Sequence, residues 1–134
     1  MKRFLAIGSV LAALTLSACA TKEEPQSKTT DEVPELVEVD LNVPETASAN
    51  VEVIFTAAVT QGEEIVEDAD EVKFEVKNIN TGEKELLEAH LNEKQYEGKY
   101  KFTTKGTYDV TSHVTARDMH TMPTKQIVIS AGEE

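Results

Sequence analysis

Residues 71 to 77 alternate without a break. Val72, Phe74 and Val76 are apolar, while Glu71, Lys73, Glu75 and Lys77 are charged. A period of two sends successive side chains to opposite faces of an extended chain, so this segment predicts a strand with one buried face. Val37, Val39, Leu41 and Val43 follow the same rule, with Glu38, Asp40 and Asn42 facing out. Pro44 ends that strand because it has no N–H for a ladder, and residues 44–50 read as a loop. Val51, Val53, Phe55, Ala57 and Val59 give a second strand, stopped at Gln61-Gly62. Asn80-Thr81-Gly82 is turn chemistry, with Gly82 free to take positive φ. Leu87, Ala89 and Leu91 read as one further strand, and Tyr100 with Phe102 as the next. Tyr108, Val110 and Val114 share a face behind Gly106, and Ile127 with Ile129 closes the set.

These are seven short strands at nearly regular spacing, and no segment carries a helical stripe over three turns. The pattern predicts an all-β fold, an immunoglobulin-like β-sandwich of about seven strands over residues 37–134. Gly106-Thr107-Tyr108-Asp109-Val110 looks like the tyrosine corner of such sandwiches, in which the phenol bonds back to nearby backbone.

The first 18 residues have a different character. Lys2 and Arg3 precede an apolar run from Phe4 to Leu16, and Leu16-Ser17-Ala18-Cys19 follows. This resembles the signal peptide and lipobox of a bacterial lipoprotein, and the run is short for a membrane span. The resemblance implies a signal peptide over 1–18 and cleavage before Cys19. It also implies a lipid on the Cys19 sulfur that holds the protein at the extracytoplasmic face of the cell membrane. Two acyl chains anchor stably where one does so marginally. Residues 19–36 read as a tether, because Thr21 to Pro34 is polar and contains Pro25 and Pro34.

Cys19 is the only cysteine. Once acylated it leaves no thiol for a disulfide, a nucleophile or a metal, so the apolar core alone must hold the domain. The chain carries −12 formal charge, and the leader contains Lys2 and Arg3 but no acid. Beyond it the balance is 11 basic against 25 acidic residues, or −14. Such a surface repels nucleic acid and anionic lipid, which leaves attachment to the lipid anchor. A monomer is expected.

Soft metal-ligand side chains are gathered in one place. The histidines are His90, His113 and His120, and the methionines after the leader are Met119 and Met122. Four of these five lie between residues 113 and 122. Imidazole with thioether suits copper, and thioether favours Cu(I). Zinc is served less well without a thiolate. If residues 107–116 and 119–130 form a hairpin around Arg117-Asp118, then 113 pairs with 122 and 115 with 120. His113, His120 and Met122 then share one face, with Met119 on the other near the tip. A slip of one residue destroys that convergence, and Arg-Asp is not a favoured two-residue turn. The plain alternative is that the methionines pack as adaptable rim and the histidines are merely solvated.

The segment from His113 to Lys125 resembles the C-terminal signature of YtkA-like (FixH-like) lipoproteins. Val59-Thr60-Gln61-Gly62, Asp68-Ala69-Asp70-Glu71-Val72 with Phe74-Glu75, and Gly106 with Tyr108 add to the resemblance. It implies a membrane-anchored, single-domain, immunoglobulin-like protein of Gram-positive bacteria. Copper delivery or oxidase assembly is suggested for such proteins, and no enzymatic activity is implied. The positions carried over are His113, Met119, His120 and Met122.

Glu63, Glu64, Glu67, Asp68, Asp70 and Glu71 are dense enough to suggest Ca²⁺ but lack the EF-hand order, so a solvated acidic loop is expected. A blue-copper site needs a cysteine ligand and is rejected. No Ser-His-Asp arrangement or glycine-rich phosphate loop stands out, and no enzyme is expected. The sequence therefore points to an extracytoplasmic lipoprotein that binds or handles copper through His113, His120 and Met122, with Met119 as a fourth candidate. A copper-accepting protein or a membrane complex would be its partner. Protonation competes for imidazole, so binding should weaken below about pH 6. The alternative is a non-metal interaction module at the cell surface.

Overall fold

The computed structural model describes residues 33–132. The expected leader, Cys19 and most of the tether lie outside the described residues. Val33–Glu134 forms one compact unit with its own core.

Among the described residues, eleven strands build two sheets. They are β1 (Val37–Asn42), β2 (Thr46–Ser48), β3 (Glu52–Gln61), β4 (Glu64–Ile65), β5 (Glu71–Asn78), β6 (Lys84–Glu88), β7 (His90–Asn92), β8 (Gln95–Lys101), β9 (Gly106–Ala116), β10 (Met119–Thr121) and β11 (Thr124–Ser130). One sheet runs β1-β3-β8-β7 with β4 against β3, and the other runs β2-β11-β9-β5-β6 with β10 against β9. Pairing is antiparallel except between β2 and β11. Without the two short additions β4 and β10, these orders are those of immunoglobulin sheets, A-B-E-D against G-F-C with flanking A′ and C′ strands. The expected fold class is the one observed.

The alternation sets the core. Phe55, Ala57, Val59, Phe74, Val110, Val114 and Ile127 are fully buried between the sheets. Phe55 and Phe74 meet across the gap with ring centres 5.8 Å apart, and Phe102 stands edge-on to Phe55 at 6.2 Å. Gly98 lies opposite Phe55 in the β3–β8 register. A Cβ on Gly98 would come within 2.5 Å of the Phe74 ring, so only glycine admits that ring.

The strand expectations need several corrections. Among the described residues, eleven strands stand where about seven were expected, Val51 is 53% exposed and precedes β3, and the segment read as an acidic loop contains β4. Residues 44–50, read as a loop, contain β2, which has no apolar alternation and is a strand through its parallel pairing with β11. The single strand expected through Leu87, Ala89 and Leu91 is two. β6 pairs with β5 in one sheet and β7 with β8 in the other, and the chain crosses between sheets at Ala89. Period-two patterning reports which residues face inward and does not report a change of sheet.

The tyrosine corner is present. The Tyr108 hydroxyl donates to the Thr104 carbonyl at 2.8 Å and ties β9 to the β8–β9 connection. Tyr108→Phe keeps the buried ring and leaves that carbonyl unpaired, so urea unfolding should show a loss of about 1–2 kcal/mol. Ser112 gives the opposite expectation. It occupies an inward position of β9 opposite Phe74, is fully buried, and its Oγ has no hydrogen-bond partner among the described residues. Ser112→Ala removes the unpaired hydroxyl and should raise the urea midpoint by the equivalent of about 1 kcal/mol.

Candidate metal centre

The β9–β10 hairpin positions the candidate ligands. Met119 pairs with Ala116, His120 with Thr115, and Thr121 with Val114. This is the register expected from the sequence, and its continuation sets 122 against 113. The connection is two residues long despite its unfavourable Arg-Asp sequence. Arg117 and Asp118 both take left-handed φ, 52° and 61°, the form whose twist suits a tight hairpin. Such φ values cost non-glycine residues on the order of 1–2 kcal/mol each. The Arg117 guanidinium bonds Glu64 and Asp68, both at 3.1 Å, and these contacts offset part of that cost. The same two carboxylates hold the guanidinium firmly protonated, with its pKa raised.

Those bonds also fasten the acidic segment, while the Glu64 and Asp68 side chains stay solvated as expected. Val66 is fully buried, its N–H donates to the Val59 carbonyl, and the Ala69 N–H donates to the Tyr96 hydroxyl at 2.9 Å.

Alternation along β9 buries Val110, Ser112, Val114 and Ala116 and turns Thr111, His113 and Thr115 outward. His120, opposite Thr115, is exposed on the same outer face. The two imidazoles are neighbours, with ring centres 6.2 Å apart and planes tilted by 44°. One ion bound by two imidazoles at metal–nitrogen distances of about 2 Å holds the ring centres roughly 5–6 Å apart. The observed spacing, 6.2 Å, lies just above that range, so a shared ion would draw the rings slightly together. Each ring has a neighbour that orients it. His113 Nε2 lies 3.3 Å from a Glu75 carboxylate oxygen, and His120 Nδ1 lies 2.8 Å from the Thr115 hydroxyl. This leaves Nδ1 of His113 and Nε2 of His120 outside those bonds. Metal-binding histidines commonly use one nitrogen for the ion and the other for a carboxylate or hydroxyl.

Met122 follows β10 and is 53% exposed. The hairpin register puts it on the face of His113. Met119 is on the opposite face, packed against the core, where its sulfur accepts the Val37 N–H at 3.4 Å. It lies on the face opposite the other three candidates, and its contact fastens the start of β1 to the hairpin. Thr121 supports the same junction through its hydroxyl, which donates to the Val37 carbonyl at 3.3 Å. His90 sits exposed on β7 in the other sheet, opposite Glu97.

Among the described residues, no three His, Cys, Asp or Glu side chains are grouped to hold a metal ion. The continued hairpin register sets the exposed Met122 thioether on the face of the two imidazoles, which makes it the candidate third donor. Sequence reasoning missed Glu75, Thr115 and Arg117. Glu75 was visible as an outward position of its strand, but its approach to His113 follows from the non-local pairing of β5 with β9.

The sequence model of the YtkA-like family matches residues 31–113. The match includes His113 and ends before Met119, His120 and Met122. No curated protein matches the chain. Among solved structures, the CARDB domain of the PF1109 protein from Pyrococcus furiosus, crystallised in complex with di-metal ions, is similar in fold. It is 14% identical with a TM-score of 0.45, over 75% of this chain and 96% of that domain, too distant to bear on ligands here. Among the described residues, no helix is long and apolar enough to cross a membrane.

Proposed function

The chain belongs to the YtkA-like family, and from that premise we propose that it is a lipid-anchored extracytoplasmic protein that binds and hands on copper through His113, His120 and Met122. The observation that carries this reading is the pair of outward imidazoles, 6.2 Å apart, each with one ring nitrogen held by a neighbouring side chain. Two imidazoles and a thioether form a donor set for Cu(I) and, with less preference, for Cu(II). No thiolate contributes, so affinity is moderate and release to an acceptor is feasible. The outer sheet face leaves the ion reachable from solvent, as a carrier requires. The Cys19 anchor would keep the domain beside the membrane, where a copper-accepting protein or an oxidase under assembly would receive the ion.

Titration of Val33–Glu134 with Cu(I) and with Cu(II) tests the reading. One ion should bind per chain, with Cu(I) the tighter. Protein that takes up neither ion would leave the second reading, a non-metal interaction module. That reading draws on the Arg117 contacts to Glu64 and Asp68, which join the hairpin tip and the acidic segment in one surface.

A further inference from the structure

Among the described residues, strand β6 ends its sheet, with β5 as its only neighbour in the strand order. Its sequence is Lys84-Glu85-Leu86-Leu87-Glu88. The ladder shows which of its backbone groups are free. Asn78 N–H donates to the Glu83 carbonyl and Ala89 N–H to the Val72 carbonyl, at 2.9 and 3.1 Å. Hydrogen-bonded and non-bonded pairs alternate along an antiparallel ladder. In the β5–β6 register the bonded pairs are therefore Val76 with Glu85 and Phe74 with Leu87. The N–H and C=O groups of Lys84, Leu86 and Glu88 point away from β5. The side chains of the same three residues stand on the outer face, and Leu86 is 62% exposed. The inner side holds β6 in place. Leu87 packs on the core, and Glu85 accepts a hydrogen bond from the Tyr100 hydroxyl, whose pKa is pushed up by burial and by that carboxylate.

We propose that this edge pairs with β6 of a second copy of the chain about a two-fold axis at Leu86. An edge strand with free backbone groups is a template for another strand, and natural edges are usually protected by charge. Here the charges complement one another in one register. With Leu86 opposite Leu86, Lys84 of each copy faces Glu88 of the other, and each pair is made twice, as an isologous interface requires. The residues set opposite one another are the three whose backbone groups are free, so every pair can exchange both of its hydrogen bonds. A register centred on Lys84 sets lysine against lysine, and one centred on Glu88 sets glutamate against glutamate. Both are opposed by like-charge repulsion across the strands. Charge thus selects the register and permits the pairing. The dimer differs from the monomer expected of the sequence, and it does not depend on copper.

A five-residue edge buries little surface, well below a standard interface, so the association is weak and depends on concentration. Equilibrium sedimentation of Val33–Glu134 without added metal should show dimer growing in between about 10 µM and about 500 µM. Lys84→Glu turns both cross-pairs repulsive and should weaken association about tenfold or more. Lys84→Glu combined with Glu88→Lys restores opposite charges in the same register and should recover most of the parent's association. Circular dichroism of each variant confirms the fold. Protein that stays monomeric throughout the range overturns the proposal. A dimer that is indifferent to the Lys84→Glu change, or one that the double exchange fails to rescue, places the interface elsewhere and overturns it equally.

Discussion

Phe55→Ala is expected to cost about 3–5 kcal/mol, against a total stability of about 5–15 kcal/mol for a domain of this kind, and to leave the protein marginally folded. Phe55 is fully buried in β3, and its ring touches Phe74 of the opposite sheet and Phe102 of the β8–β9 connection. Removing it opens a cavity that the neighbours cannot close. Phe74 already lies against the Gly98 backbone, where no room for a Cβ remains, so it has little freedom to lean into the gap. No disulfide can compensate, because the chain has a single cysteine outside the domain. Ile54→Ala is the control. Ile54 is adjacent in sequence, faces outward and is 46% exposed, so its loss should stay within about 0.5 kcal/mol. Urea unfolding followed by circular dichroism reads both variants. Equal losses at the two positions would contradict the assignment of faces in β3.

The contrast between Phe55 and Ile54 was legible in the amino-acid sequence, because alternation fixes faces wherever one side of a strand is buried. The β9–β10 hairpin was legible for a similar reason. One register sets His113, His120 and Met122 on the outer face and Met119 inward, and that register is the one observed. The sandwich order was not legible. The crossing at Ala89 and the parallel seat of β2 on β11 are decided by pairing partners far away in the chain, and a local period carries no record of them. The Arg117-Asp118 turn was placed by the hairpin register, but what supports so unfavourable a pair was not legible, since Glu64 and Asp68 lie about fifty residues away. Glu75 beside His113 is a third case. An outward glutamate on an alternating strand looks like any solvated charge until the neighbouring strand is known.

His113→Ala and His120→Ala should each weaken copper binding by about 100-fold or more, because each removes one of only two imidazoles. Met122→Ala should weaken Cu(I) more than Cu(II), since the thioether is the softest donor available. Glu75→Gln keeps the shape of the side chain and removes its charge. The His113 ring is then held less firmly, and affinity should fall by about tenfold. Met119→Leu should leave affinity unchanged. Its sulfur is committed to the Val37 N–H on the inner face, so the variant should register only as a small loss in urea unfolding. The three candidate ligands stand on the outer face, and their alanine variants should remain folded, so lost binding is not lost structure. The spacing of effects then separates the two readings. A solvated pair of histidines predicts no difference between Met119→Leu and Met122→Ala, and a shared ion predicts a large one for Cu(I). If the combined His113→Ala, His120→Ala, Met122→Ala protein binds copper as the parent does, the ion sits elsewhere on the molecule.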